Sequence, residues 1–258
     1  MIHRSRWLVV GLLSLSASSV DAMADMVPGI PTVVSAAISD PRRPPEQIKL
    51  DPTRKPALLV AFSGLKPGDH VADFMPGNGY FTRIFSDVVG PKGRVYAFIP
   101  LEQIANCPAT EIAGTDAIAH DPGYANVTVL TDSVANFRAP EKLDLLWTAQ
   151  NYHDLHDTFM GPTDIAKLNK AFYDALKPGG IFLVIDHVAV SGSGLRDTET
   201  LHRIDPIRMQ REIEAAGFIL EAHSDVLRNG DDDHQRAVFD PMIRGKTDQV
   251  VFRFRRPG

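Results

Sequence analysis

The most chemically loaded stretch of this 258-residue chain is Gln150-Asn151-Tyr152-His153-Asp154-Leu155-His156. An amide, an imidazole and a carboxylate lie within four positions, a set that can orient a bound molecule and move a proton. His153 is the best general-base candidate, because an unperturbed imidazole titrates near pH 6.5 and a neighbouring carboxylate, Asp154 or Asp186, can tune and orient it. Asn151 can donate to or accept from a bound group. The same residues also suit a plainer task, with His153 and Asp154 capping the next helix and Tyr152 packing. His153 and His156 stand at i, i+3, not at the i, i+4 of a zinc-binding helix, and zinc needs three or four convergent ligands, so no metal is expected. Asp186-His187 and His202 are further candidates for a pocket wall, or structural. Asp231-Asp232-Asp233-His234 is acidic but lacks the spacing of a calcium loop and reads as solvated. Arg244 and Lys246 read as structural, or as an edge of an entrance.

A second feature is the segment Val71-Ala72-Asp73-Phe74-Met75-Pro76-Gly77-Asn78-Gly79-Tyr80-Phe81-Thr82. It reads as an apolar strand, a glycine-bearing turn and the start of a helix. The glycines allow a tight turn and close backbone approach to a ligand. The helix start presents free N–H groups and the positive end of a dipole, which suits a carboxylate or a phosphate.

These residues must be held by a larger frame, and the hydrophobic pattern supplies one. Strands are expected at 71–74, 94–99, 127–130, 143–148, 181–185, 218–226 and 249–254. Helices are expected at 80–89, at 101–119 with a break near Pro108, at 164–176 and at 207–216. A further helix is expected to start with Asp51 as cap and Pro52 at its first position, and to run through Leu58, Leu59 and Phe62 to Gly64. Lys177-Pro178-Gly179-Gly180 reads as a turn, and 191–200 and 229–248 as loops. Apolar strands alternating with amphipathic helices describe an α/β fold of Rossmann-like type, a seven-stranded mostly parallel sheet with helices on both faces and an antiparallel C-terminal strand. Ligands of such sheets sit beyond the carboxyl ends of the strands.

The strand–turn–helix at 71–82 resembles motif I of class I S-adenosylmethionine (SAM)-dependent methyltransferases. Leu65-Lys66-Pro67-Gly68-Asp69 before it, Leu143-Asp144-Leu145-Leu146-Trp147 and Leu176-Lys177-Pro178-Gly179-Gly180 are similar to later segments of that family, in order. More narrowly, Asn151-Tyr152-His153-Asp154, His202-Arg203-Ile204-Asp205 and Arg244-Gly245-Lys246-Thr247-Asp248 resemble a subfamily of exported predicted methyltransferases. The resemblance spans roughly 57–256. It implies SAM as cofactor, with Asp73, Pro76, Gly77, Asn78, Gly79 and Tyr80 around its amino-acid end and Asp132 and Ser133 near the adenine. It also implies that Asn151, His153 and Asp154 face the methyl group and its small-molecule acceptor. Two positions depart from the family. Met75 stands where glycine is usual, and the second strand ends without the acid that binds the ribose hydroxyls. Glu102, just beyond, is the candidate replacement, or else an exposed residue of a helix's first turn. An exported, non-catalytic ligand-binding protein on the same fold is the alternative reading.

The rest of the chain sets bounds. Net charge is −5 with 23% charged residues, and no strongly basic stretch favours a nucleic-acid partner. The basic start, the apolar run from Trp7 to Leu15 and Ala22-Met23-Ala24 form a signal peptide over 1–24, with cleavage expected after Ala24 and delivery to the periplasm or beyond. Residues 25–56 read as a lead-in and 57–258 as the methyltransferase-like domain. No stable membrane insertion is expected. Cys107 is the sole cysteine, so no internal disulfide is available.

Overall fold

The computed structural model describes residues 29–258. The expected signal peptide and its cleavage point lie outside the described residues. Seven strands form one sheet: β1 (His70–Phe74), β2 (Arg94–Pro100), β3 (Val127–Asp132), β4 (Leu143–Ala149), β5 (Leu176–His187), β6 (Ile219–Ser224) and β7 (Gln249–Arg255). Their order is β3-β2-β1-β4-β5-β7-β6. The first five run parallel, and β7 is antiparallel to both of its neighbours. This is the expected architecture. The strand order reverses between β1 and β4, so the carboxyl ends of these two strands flank the natural ligand crevice.

The helices are α1 (Thr32–Ile38), α2 (Pro45–Ile48), α3 (Asp51–Arg54), α4 (Pro56–Ser63), α5 (Tyr80–Val89), α6 (Leu101–Asn106), α7 (Ala113–Ala119), α8 (Ile165–Ala175), α9 (Thr198–Leu201) and α10 (Pro206–Ala215). Successive strand residues point to opposite faces. Val71, Val95, Leu145 and Trp147 therefore meet Val34, Leu59, Ile84 and Phe85 of α1, α4 and α5 on one side. Ala72, Phe74, Phe98 and Phe182 meet Phe172 of α8 and Met209 and Ile213 of α10 on the other. Ile84, Phe85 and Val88 are fully buried, and each such side chain contributes about 1.5–3 kcal/mol by leaving water.

Three local expectations are corrected. The helix expected from Asp51 to Gly64 is two helices, broken at Lys55, whose φ is 45°. Pro56 explains the break: it has no N–H to give and it disfavours helical geometry in the residue before it. Asp51 is not a cap. Its carboxylate accepts from the buried Arg43 guanidinium at 2.7 and 2.8 Å and from the Tyr80 hydroxyl at 2.5 Å, which docks the lead-in onto the start of α5. The expected turn at 177–180 lies within β5, where the pairing with β4 slips between Leu143 and Leu145 and the Gly179 N–H donates to the Arg256 carbonyl at 2.9 Å.

Candidate functional site

The turn after β1 is held from all sides. Gly77 and Gly79 take φ of 55° and 72°. Met75 takes φ of 56°, a left-handed conformation that costs a residue with a side chain about 1–2 kcal/mol. Its N–H donates to the Phe98 carbonyl at 2.9 Å, and its carbonyl accepts from Asn151 Nδ2 at 2.8 Å. The other end of the Asn151 amide accepts from the Thr148 hydroxyl. Asn151 thus ties the loop after β4 to the turn, and both ends of its amide are engaged by the protein.

Segment 101–119 covers the outer face of the turn. The Thr115 hydroxyl donates to the Gly77 carbonyl at 2.7 Å, Gly114 N–H donates to Asn78 Oδ1 at 2.8 Å, and Asn78 Nδ2 donates to the Thr110 carbonyl at 2.9 Å. A Cβ on Gly79 would lie 2.4 Å from Ile118 Cδ1. The left-handed φ together with this close packing of α7 calls for glycine here. A Cβ on Gly77 would make only an ordinary contact, 3.8 Å from the Glu111 carbonyl, so its glycine is called for by the left-handed φ and not by crowding. Pro76 is partly buried.

Asp73 sits under the turn, 3% exposed, with the Thr82 hydroxyl donating to it at 2.6 Å. Burial raises its pKa to about 7, against the lowering effects of Thr82 and the Arg54 charge. Tyr80 directs its hydroxyl to Asp51, and its ring lies 4.7 Å from the Arg54 guanidinium. Beyond β2, Glu102 spends both carboxylate oxygens on the tip of β3, accepting from Ser133 Oγ at 2.6 Å and Val134 N–H at 2.9 Å. Asp132 accepts from Ser133 N–H and Asn136 Nδ2. Sequence reasoning missed Gln103, whose side-chain Oε1 is buried without a partner one residue past Glu102.

His153 is 2% exposed and lies between two carboxylates, with Nδ1 2.8 Å from Asp186 Oδ1 and Nε2 3.1 Å from Asp154 Oδ1. Burial acts to lower its pKa, but Asp186 and Asp154 prevail and hold it well above the ordinary histidine value. Asp154, although burial opposes it, is held low by His153. The structure therefore joins both expected orienting carboxylates to one ring. It also brings in Asp157 and His202, so that His153, Asp154, Asp157 and His202 form one cluster. The sequence signal for Asp157 was its i, i+4 distance from His153. His202, a pocket-wall candidate from sequence, enters from the end of α9. His187 is different: burial lowers its pKa to about 3, and its Nδ1 shares a hydrogen with the Thr247 hydroxyl at 2.8 Å.

Beside these residues opens a cavity of about 440 Å³ at the ends of β4 and β5 and the start of β7. Lys49, Arg54, Arg244, Gln150, His187 and Thr247 contribute to its wall, and no carboxylate does. Gln150 holds φ of 66° at the rim, and Arg54 Nη2 reaches its Oε1 at 3.5 Å. Burial lowers the pKa of Arg54, and among the described residues no carboxylate forms an ion pair with it, with Lys49 or with Arg244. A larger opening of about 660 Å³ lies beside β6 and touches neither the turn nor the histidine cluster.

No protein-family model matches the chain. It is 31% identical over 74 residues to a protein-L-isoaspartate O-methyltransferase of Ignicoccus hospitalis, a match that takes in 29% of this chain and 32% of that relative. The chain thus spans about a third of the length of that relative. Among solved structures it is similar to a SAM-dependent methyltransferase from Aquifex aeolicus, with a TM-score of 0.54, 19% identity and coverage of 82% of this chain and 93% of the other. It is also similar to one from Mesorhizobium loti, with a TM-score of 0.55, 16% identity and coverage of 80% and 100%. The [4+2]-cyclase SpnF aligns with a TM-score of 0.58, 16% identity and coverage of 91% and 99%. Strand order, the glycine turn after β1 and these likenesses together show that the chain has the class I SAM-dependent methyltransferase fold.

Proposed function

We propose that the chain is a SAM-dependent methyltransferase whose acceptor is a small molecule bearing an anionic group. The observation that carries this reading is the glycine turn after β1, with a cation-lined cavity at the ends of the neighbouring β4, β5 and β7. The residues fit a nucleoside cofactor. Gly77 and Gly79 give the turn the left-handed backbone that close approach to a ligand needs, and the orphaned acceptor of Gln103 stands just past β2, where a ribose hydroxyl would satisfy it. Pro76, Gly77 and Asn78 would hold the amino-acid end, Gln103 the ribose, and Asp132 and Ser133 the edge of the adenine. Glu102 acts through Ser133 by fixing the tip of β3.

When bound, SAM supplies a methyl group on a sulfonium, and transfer of that group needs mainly alignment with the acceptor. Arg54, Lys49 and Arg244 would bind the acceptor's anionic end, since the half-buried Arg54 guanidinium, without an ion-pair partner, gains most from one. Neutral His187 can donate or accept one hydrogen bond in the same cavity. Asn151 fixes the turn against the β4 loop and so positions the methyl donor. His153 sits between two carboxylates with little exposure, which suits an orienting role better than that of a free base. We further propose that the chain acts outside the cytoplasm, after loss of residues 1–24.

The test is calorimetric titration of the mature protein with SAM and with S-adenosylhomocysteine. Micromolar binding is expected, weakened about tenfold by Gln103→Leu through loss of one hydrogen bond. Absence of binding to both compounds would overturn the reading. A second reading, ligand binding without catalysis, is favoured by Met75 and by the committed carboxylate of Glu102. Binding of anions but not of either nucleoside would support it.

A further inference from the structure

We propose that His153, Asp154, Asp157 and His202 bind a divalent transition-metal ion, zinc foremost. Each offers one ligand atom, and these atoms lie within 4.8 Å of one another. His153 Nε2 is 3.1 Å from Asp154 Oδ1, and His202 Nδ1 is 3.9 Å from the same oxygen. Zinc with ligands at about 2.0–2.2 Å sets tetrahedral neighbours roughly 3.4 Å apart. Closing the site takes side-chain movement of about an ångström, available above all to His202, whose side chain is 29% exposed. Two imidazoles and two carboxylates are the donor set of a borderline-soft ion.

Three further observations point to a cation. Asp157 is 2% exposed, and its Oδ1 is buried with no hydrogen-bond partner. Buried carboxylate oxygens are seldom left so. Asp154, Asp157 and Asp186 lie together, and among the described residues the ion pairs of this group run only to His153 and His202, with no lysine or arginine. Asp157 is thus buried with no ion pair of its own, which is costly unless a cation or a proton offsets it. Finally, Asp186 fixes the His153 ring through Nδ1 while also accepting from the His153 and His187 N–H groups at 2.7 Å each. This leaves Nε2 to face the cluster, the arrangement in which a second carboxylate orients a metal-binding imidazole.

The ion would bind the loop after β4 to the end of α9. His202 holds φ of 54° there and packs its ring 4.8 Å from Phe239, a residue that also lines the cation-rich cavity. The metal would thus brace one wall of that cavity. The inference goes beyond methyl transfer and does not depend on it.

The experiment uses mature protein made without a histidine tag. Metal content is measured after purification without chelator. Chelator-treated protein is then titrated calorimetrically with zinc, with magnesium as comparison. One zinc per chain is expected, with a Kd on the order of micromolar or tighter and a rise in Tm of about 5–10 °C at a hundredfold excess over Kd. His202→Ala should weaken zinc binding at least tenfold, and Asp157→Asn reads the same point should the first variant prove unstable. His234→Ala, at a separate histidine–aspartate pair, should leave the titration unchanged. A wild type that takes up no zinc, or zinc affinity unaltered by the cluster substitutions, overturns the proposal. SAM plays no part in this titration, so its outcome is independent of the methyl-transfer reading.

Discussion

Asn151 Nδ2 donates to the Met75 carbonyl at 2.8 Å, joining the loop after β4 to the turn after β1 across the reversal point of the sheet. Asn151→Ala removes this bond and the one to Thr148, leaving two buried acceptor and donor groups unmatched. Each such group costs about 1–3 kcal/mol. Urea unfolding should show a loss of roughly 2–4 kcal/mol, with SAM affinity falling in the same variant. A change under about 0.5 kcal/mol would mean that the turn holds its shape without the clamp.

Met75 sets two effects against each other. Glycine relieves the left-handed strain, a gain of about 1–2 kcal/mol. It also deletes a buried side chain, 4% exposed, a loss of about 2–5 kcal/mol. Met75→Gly is therefore expected to be less stable by about 1–3 kcal/mol, while binding SAM more tightly because the turn gains freedom and space. Tighter binding with lower Tm is the signature to look for.

Asp73 makes stability depend on pH. Burial raises its pKa from the ordinary 3.8 to about 7. Between those values the folded chain keeps a proton that the unfolded chain releases. The stability from this group is complete below the lower value and is lost as pH rises toward 7, by about 1.4 kcal/mol per pH unit. Asp73→Asn has no such slope. The stability of the wild type relative to this variant should fall by on the order of 3 kcal/mol between about pH 4.5 and 7.5. Equal slopes for both proteins would mean that Asp73 is ionised throughout.

Arg54 is predicted to make the cavity anion-selective. At equal ionic strength, phosphate should raise the Tm more than chloride does, and Arg54→Gln should remove most of that difference. An unchanged difference would move the anion site away from β4 and β5.

Export predicts a defined chemical end. N-terminal sequencing of protein from the extracytoplasmic fraction of the producing cell should begin at Asp25. A chain that starts at Met1 in that fraction would show that the leader is retained.

Much of the frame was legible because it rests on short-range pattern. β1, the turn and α5 follow from three apolar residues, two glycines and helical spacing at Phe81, Ile84, Phe85 and Val88. The break at Lys55 was missed although Pro56 stood in plain view, because the cap signal of Asp51-Pro52 outweighed it in a local reading. The site was legible only in part. His153, Asp154 and Asp186 were named together from their chemistry, and they do meet. Arg54 and Gln103 were not singled out, and His202 was named only as a pocket-wall candidate, since their neighbours come from distant segments and no periodicity carries that information. Glu102 was given a ligand role that ignored a nearer claimant, the hydroxyl of Ser133.

The hydrogen bonds from Thr115, Gly114 and Asn78 lash segment 101–119 to the outer face of the turn after β1. Should a nucleoside need the face of the turn that this segment covers, it would have to wait for the strap to lift before it could seat. Its capture rate would then stop climbing as its concentration rises, levelling at the strap's own opening frequency. Such a gate also slows escape, so that a scarce ligand, once inside, would be retained through many collisions with competitors.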